Sequence, residues 1–190
     1  GSQPGTFDGG VGVTVIASDD SLSATTAVIV EPDRVVFMSD RDNSVKDIYL
    51  MDLDGVSVER LTSSGGAFPA WSPNGRRIAY HACMFTCEIV VMGDDGKWKT
   101  LLSGVDDAFA HWSPDGSKVA FASTRGGGGL EIYVTDVDGF NPVRLTTSAG
   151  KDSYPAWSPS GSQIVFSSER DGQAEIYVMD ADGSAQKRLT

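Results

Sequence analysis

The side chains of this 190-residue chain that could do chemistry are few: two cysteines, two histidines, three arginines in matching contexts and a repeated Asp-x-Asp-Gly. Cys83 and Cys87 flank Met84-Phe85-Thr86. On either side of so short a hairpin they would face each other at a cross-strand distance that suits a disulfide. Closing that loop adds about 2 kcal/mol at most through chain entropy. The competing reading is two partly buried free thiols in a reducing compartment. The spacing is not that of a Cys-x-x-Cys redox motif, and no second cysteine pair completes a zinc site. His111 stands where sister segments carry Ala70 and Ala156, one residue before a tryptophan. It could line a channel as a metal or substrate group. The simpler use is a hydrogen-bonded structural or exposed histidine, since His81 and His111 alone are too few for a metal cluster.

Arg41, Arg125 and Arg170 sit in Ser-Asp-Arg-Asp, Ser-Thr-Arg-Gly and Ser-Glu-Arg-Asp. A ring of guanidinium groups would grip an acidic ligand, whereas a structural arginine would hold loop carbonyls or a neighbouring Asp with its planar fork. The Asp-x-Asp-Gly segments at 52–55, 136–139 and 180–183 lack the further oxygen ligands and closing Glu of a calcium loop, so they read as turns. Trp71, Trp112 and Trp157 recur at one position and read as core. Trp98, between Lys97 and Lys99, matches no repeated position. It is the expected exposed aromatic, and with His111 a candidate contact for a partner or ligand. No Gly-x-Ser-x-Gly elbow occurs, and Gly126 to Gly129 falls between strands rather than before a helix. No catalytic, cofactor-binding or metal-ligating residue is expected, and no cofactor.

These residues are set in a pattern written four times. The second copy runs Phe68-Pro69-Ala70-Trp71-Ser72-Pro73-Asn74-Gly75, Arg77-Ile78-Ala79-Tyr80, Glu88-Ile89-Val90-Val91-Met92 and Asp94-Asp95-Gly96. The third carries Trp112 to Gly116, Val119-Ala120-Phe121, Ile132-Tyr133-Val134, Asp136 to Gly139 and Arg144-Leu145-Thr146. The fourth repeats it from Tyr154 to Thr190, and the first is degenerate, with Val30-Glu31-Pro32-Asp33 where Trp-Ser-Pro-Asp stands elsewhere. Ser-Pro-Asp-Gly suits a tight reversal, because Pro presets φ and Gly supplies its positive value. Asp-x-Asp-Gly is a hairpin signal. Four short strands joined by such turns, at a period of roughly 40–45 residues, indicate the blades of an all-β propeller.

The hydrophobic content of 40% and charged content of 22% are those of a globular chain. The longest apolar runs are strand-sized, so no membrane insertion is expected. A formal charge of −11 offers no basic stripe to nucleic acid. Residues 1–5 have neither the basic start nor the apolar core of a signal peptide. Residues 1–23 read as a flexible lead-in with one strand at 11–17, and the repeats as about 24–62, 67–102, 108–146 and 153–190.

The motifs Pro-Ala-Trp-Ser-Pro-Asp-Gly, Ile-x-Phe, Ser-x-Arg-x-Gly, Ile-Tyr-Val-Met-Asp-x-Asp-Gly and Arg-Leu-Thr resemble the WD40-like PD40 repeat of TolB-like β-propellers, over about residues 24–190. The resemblance implies blades around a central channel, usually six or more, and a non-catalytic scaffold that meets a protein partner in the periplasm or outside the cell. Four blades would make either a small closed ring or an arc completed by self-association or by further sequence, because an open arc exposes apolar faces. Two alternatives stand beside the scaffold: a metal-dependent glycan-processing or small-ligand propeller, and a self-assembling extracellular or surface component.

Overall fold

The structure is a computed structural model that describes residues 28–30, 34–42, 44–83, 86–97, 99–102 and 106–190. The expected lead-in at 1–23 lies outside them, as does Trp98. The described residues form four separate antiparallel sheets of four strands, each a simple meander. Blade one holds β1 (Val28–Val30), β2 (Arg34–Ser39), β3 (Asp47–Asp52) and β4 (Val58–Arg60). Blade two holds β5 (Ala67–Trp71), β6 (Arg77–Cys83), β7 (Cys87–Gly93) and β8 (Lys99–Leu101). Blade three has β9 (Asp107–Trp112), β10 (Lys118–Ser123), β11 (Glu131–Asp136) and β12 (Val143–Arg144). Blade four has β13 (Asp152–Trp157), β14 (Gln163–Ser168), β15 (Glu175–Asp180) and β16 (Lys187–Arg188). The propeller architecture expected from the repeats is therefore present, as an open arc.

Turn chemistry sets the strand boundaries. In the Ser-Pro-x-Gly reversals the amides of Gly75, Gly116 and Gly161 donate to the carbonyls of Ser72, Ser113 and Ser158 at 2.9 Å. In the Asp-x-Asp-Gly turns the second carboxylate accepts the amide two residues on, at Val56, Phe140 and Ser184. These carboxylates are thus spent on closing their own turns. The Arg-Leu-Thr ending has a matching purpose. Arg144 and Thr146 both bond the buried Glu131 that begins β11, and Arg60 and Thr62 do the same for the buried Asp47 of β3.

Side-chain alternation makes each central sheet two-faced, and neighbouring blades bury those faces against each other. Val36, Met38, Ile48 and Leu50 of blade one meet Trp71, Ile78, Tyr80 and Met92 of blade two. Ala79, Ile89, Val91 and Leu102 then meet Trp112, Val119, Phe121 and Tyr133 of blade three. Ala120, Ala122, Ile132 and Val134 close on Ile164, Phe166, Tyr177 and Met179 of blade four. The recurring tryptophans lie in these seams, Trp71 and Trp112 buried and Trp157 partly so. Burial of the apolar rows is worth about 25 cal/mol per Å² of surface removed from water, which is what holds separate sheets side by side.

Candidate functional site

The innermost strands β5, β9 and β13 pack next to one another and form the concave side of the arc. Each pairs irregularly with its neighbour, with a register shift at the same place in blades two, three and four. The cause is a non-glycine residue in the left-handed region: Phe68 (φ 49°), Phe109 (φ 59°) and Tyr154 (φ 53°), each three residues before its blade's tryptophan. A left-handed backbone costs an ordinary residue roughly 1–2 kcal/mol. The bulge turns each ring out of the blade and toward the next one.

The three rings form a continuous row. Phe68 and Phe109 pack edge to face with centroids 5.8 Å apart, and Phe109 lies 3.9 Å from Tyr154. Phe68 remains 41% exposed and Tyr154 62%. Phe68 and Tyr154 are strained and solvent-facing, which core packing does not explain, while Phe109 between them is half-buried against the seam of blades three and four. Sequence reasoning passed over this row. Its signal was an aromatic residue three before each tryptophan, but regular two-residue alternation would place these two on opposite faces, and only the bulge reveals their separate jobs.

Of the two histidines, His81 contacts the row and His111 bonds the backbone beside the tryptophans. His81, on β6, is 3% exposed, and its Nε2 accepts the backbone N–H of Phe109 in the next blade while its ring packs against Phe68 at 5.0 Å. Burial lowers its pKa to about 4, so the ring is the neutral acceptor that this bond requires. His111, on β9, has an open ring edge but is crowded by the inner strands. The resulting loss of hydration lowers its pKa, and its bond to the Trp112 carbonyl opposes that shift. Its Nδ1 lies 3.1 Å from the Trp112 carbonyl and 3.4 Å from the Trp157 N–H, so it donates to one or accepts from the other according to its tautomer. Among the described residues no three His, Cys, Asp or Glu side chains are placed to hold a metal ion.

A second layer stiffens this surface. Asp107 and Asp152, at the start of β9 and β13, are fully buried and pair with Arg125 and Arg170 at 2.9 and 3.1 Å. Each arginine also donates Nε to the serine two residues earlier and lies over a Phe–Tyr pair of its own blade, Arg125 on Phe121 and Tyr133, Arg170 on Phe166 and Tyr177. Arg41 takes the same seat over Phe37 and Tyr49. The guanidinium groups are thus occupied within the blades rather than pooled for an anion. Blade two has Gly66 where blades three and four have Asp107 and Asp152, with Ala82 in place of the serine and, in sequence, Met84 in place of the arginine. There Cys83 and Cys87, directly paired across β6 and β7, are joined as a disulfide. One covalent tie stands where an ion-pair lock stands in blades three and four.

The chain matches the family model described as the TolB beta propeller domain, PD40, over residues 33–190. Among solved structures it is similar to a protein assigned as TolB from Agrobacterium tumefaciens, with a TM-score of 0.80 and 26% identity, over 90% of this chain and 68% of that one. TolB from Acinetobacter baumannii is similar with a TM-score of 0.71 and 26% identity, over 83% of this chain but 41% of that one. An oligogalacturonate lyase from Vibrio parahaemolyticus, 14% identical with a TM-score of 0.67 over 83% of this chain and 49% of that one, shares the fold. No curated protein matches.

Proposed function

The chain belongs to the PD40 family of TolB β-propeller domains, and from that premise we propose that it is a non-catalytic module that binds a protein partner through its concave aromatic surface. The observation that carries this reading is the row Phe68–Phe109–Tyr154, aromatic, partly exposed and held at a cost in backbone strain. Strain kept at three equivalent places points to a binding use, and exposed aromatic side chains are the usual anchors of protein interfaces. The locks behind the row hold its backbone in place, which lowers the entropy lost on binding. A net charge of −11 disfavours a nucleic-acid partner.

An extracytoplasmic compartment, periplasmic or extracellular, is part of the proposal. Its support is the Cys83–Cys87 bond, since disulfides persist in oxidising compartments. Trp98 remains a proposed partner contact on sequence grounds alone. The metal-dependent glycan-processing alternative draws no support from the histidines, because His81 is engaged with a backbone amide and His111 with backbone groups.

The test compares proteins captured from a cell-envelope extract of the source by three immobilised forms: the wild type, a Phe68→Ser/Tyr154→Ser variant, and Phe140→Ser, which alters an aromatic residue that is 80% exposed near the outer strand. A partner held by the wild type and Phe140→Ser but lost from the double variant is expected. Identical capture by all three forms would remove the aromatic row from the proposal.

A further inference from the structure

We propose that blade three carries a binding site for a carboxylate group, formed where a glycine replaces an aspartate that two sister blades use internally. The site lies at the hairpin between β10 and β11, in the outer half of the blade, and shares no residue with the concave aromatic row.

In blade four the arginine of the lock is followed by Asp171. One of its oxygens, Oδ2, accepts two donors at once, the Tyr177 hydroxyl and Nη1 of Arg188, the latter at 3.1 Å. Blade one repeats the first contact, with the Tyr49 hydroxyl 2.8 Å from Asp42. Blade three keeps both donors as Tyr133 and Arg144, which face each other across β11 and β12, but the residue after Arg125 is Gly126. Arg144 gives Nη2 to Glu131 and Nε to the Thr146 carbonyl, as Arg188 does with Glu175 and Thr190. Its Nη1 and the Tyr133 hydroxyl have no acceptor among the described residues.

Backbone conformation does not demand this glycine, since Gly126 is not one of those with positive φ. The two donors close over it instead: a Cβ there would stand 2.6 Å from Arg144 Nη1 and 2.7 Å from the Tyr133 hydroxyl oxygen, so both converge on one point. A guanidinium N–H beside a phenol O–H suits a carboxylate, which accepts charge-assisted hydrogen bonds from both. The body of Tyr133 is buried in the seam between blades two and three, which fixes its hydroxyl, while Gly126 to Gly129 are exposed. A carboxylate from outside reaches the donors past a hairpin run without side chains. Charge permits it as well. Arg125 and Arg144 balance Asp107 and Glu131, whereas blade four adds Asp171 to the same two pairs. A carboxylate bound at blade three thus reproduces the charge that blade four already carries. A free organic acid and an acidic side chain of a protein offer the same chemistry.

Titration of acetate into the intact, isotope-labelled chain at constant ionic strength, with chloride as the exchanged anion, tests this through the amide signals of Gly126 to Gly129. Saturable shifts are expected. Tyr133→Phe should weaken acetate binding by about tenfold or more and leave the melting curve unchanged, because the hydroxyl it removes has no partner within the chain. Tyr177→Phe alters the sister hydroxyl and should leave acetate binding as in the wild type. Gly126→Asp places the sister carboxylate on the chain itself and should abolish the shifts, with circular dichroism verifying the fold; if that variant does not fold, Tyr133→Phe decides. A capped Gly-Asp-Gly peptide identifies the source. Binding about tenfold or more tighter than acetate assigns the site to a protein side chain, equal or weaker binding assigns it to a free acid, and either supports the site. Shifts that do not saturate, or that persist unchanged in Tyr133→Phe, overturn the proposal.

Discussion

His81 ties the concave surface to pH. Its imidazole must be neutral to accept the Phe109 N–H, and burial has lowered its pKa to about 4 from an ordinary value near 6.5. Below pH 6.5 the unfolded chain takes up a proton at this site and the folded one does not. Stability should therefore be full above about pH 6.5 and fall as pH drops toward 4, by up to about 3 kcal/mol, with no further loss from this group below that. Urea unfolding at a series of pH values measures the slope, and His81→Gln should flatten it. An unchanged slope in the variant would assign the effect to other groups. The same bond fixes Phe109 at its positive φ, so one side chain of blade two holds in place a ring of blade three.

Within a blade, the unit of interest is the lock between the innermost strand and the hairpin of the second and third strands. Asp107 has no exposure, and Arg125 is its charged partner. Arg125→Leu would leave a buried carboxylate without a counter-charge and should destabilise by about 3 kcal/mol. Replacing Asp107 by Asn as well should recover part of that loss, and denaturant melts of the two singles and the double measure the coupling. A loss below 1 kcal/mol for Arg125→Leu would show that water satisfies the carboxylate. Blade two already lives without this set, since Gly66 and Ala82 replace its acid and serine and a disulfide bridges the same hairpin. The cysteine pair was legible in the sequence from its spacing across a tight turn. Its relation to the arginine lock was not, because Asp107 and Arg125 are 18 residues apart and meet only through strand pairing.

For the molecule as a whole, the order of the blades sets a gradient of protection. Blades two and three are covered on both faces, while Val165 and Ile176 leave one face of blade four open. Repeats joined only to their neighbours are stabilised by interface terms, so an end blade with a free face opens more readily. Amide exchange in a dilute sample should be about tenfold or more faster in β14 and β15 than in β10 and β11. Equal rates would mean that the arc opens as one cooperative unit.

What the linear pattern determined was everything local. Ser-Pro-x-Gly and Asp-x-Asp-Gly carry their own turn geometry, two-residue alternation marks the strands, and repetition makes one blade predict the next, so the fold class and the cysteine partners could be read from residues close in the chain. The tertiary structure decided what lies between blades: the aromatic row, the neutral His81 reaching into its neighbour, and which apolar faces remain uncovered. Those outcomes depend on contacts between residues 28 to 45 positions apart and on a bulge that breaks the alternation, and neither is encoded in any short stretch.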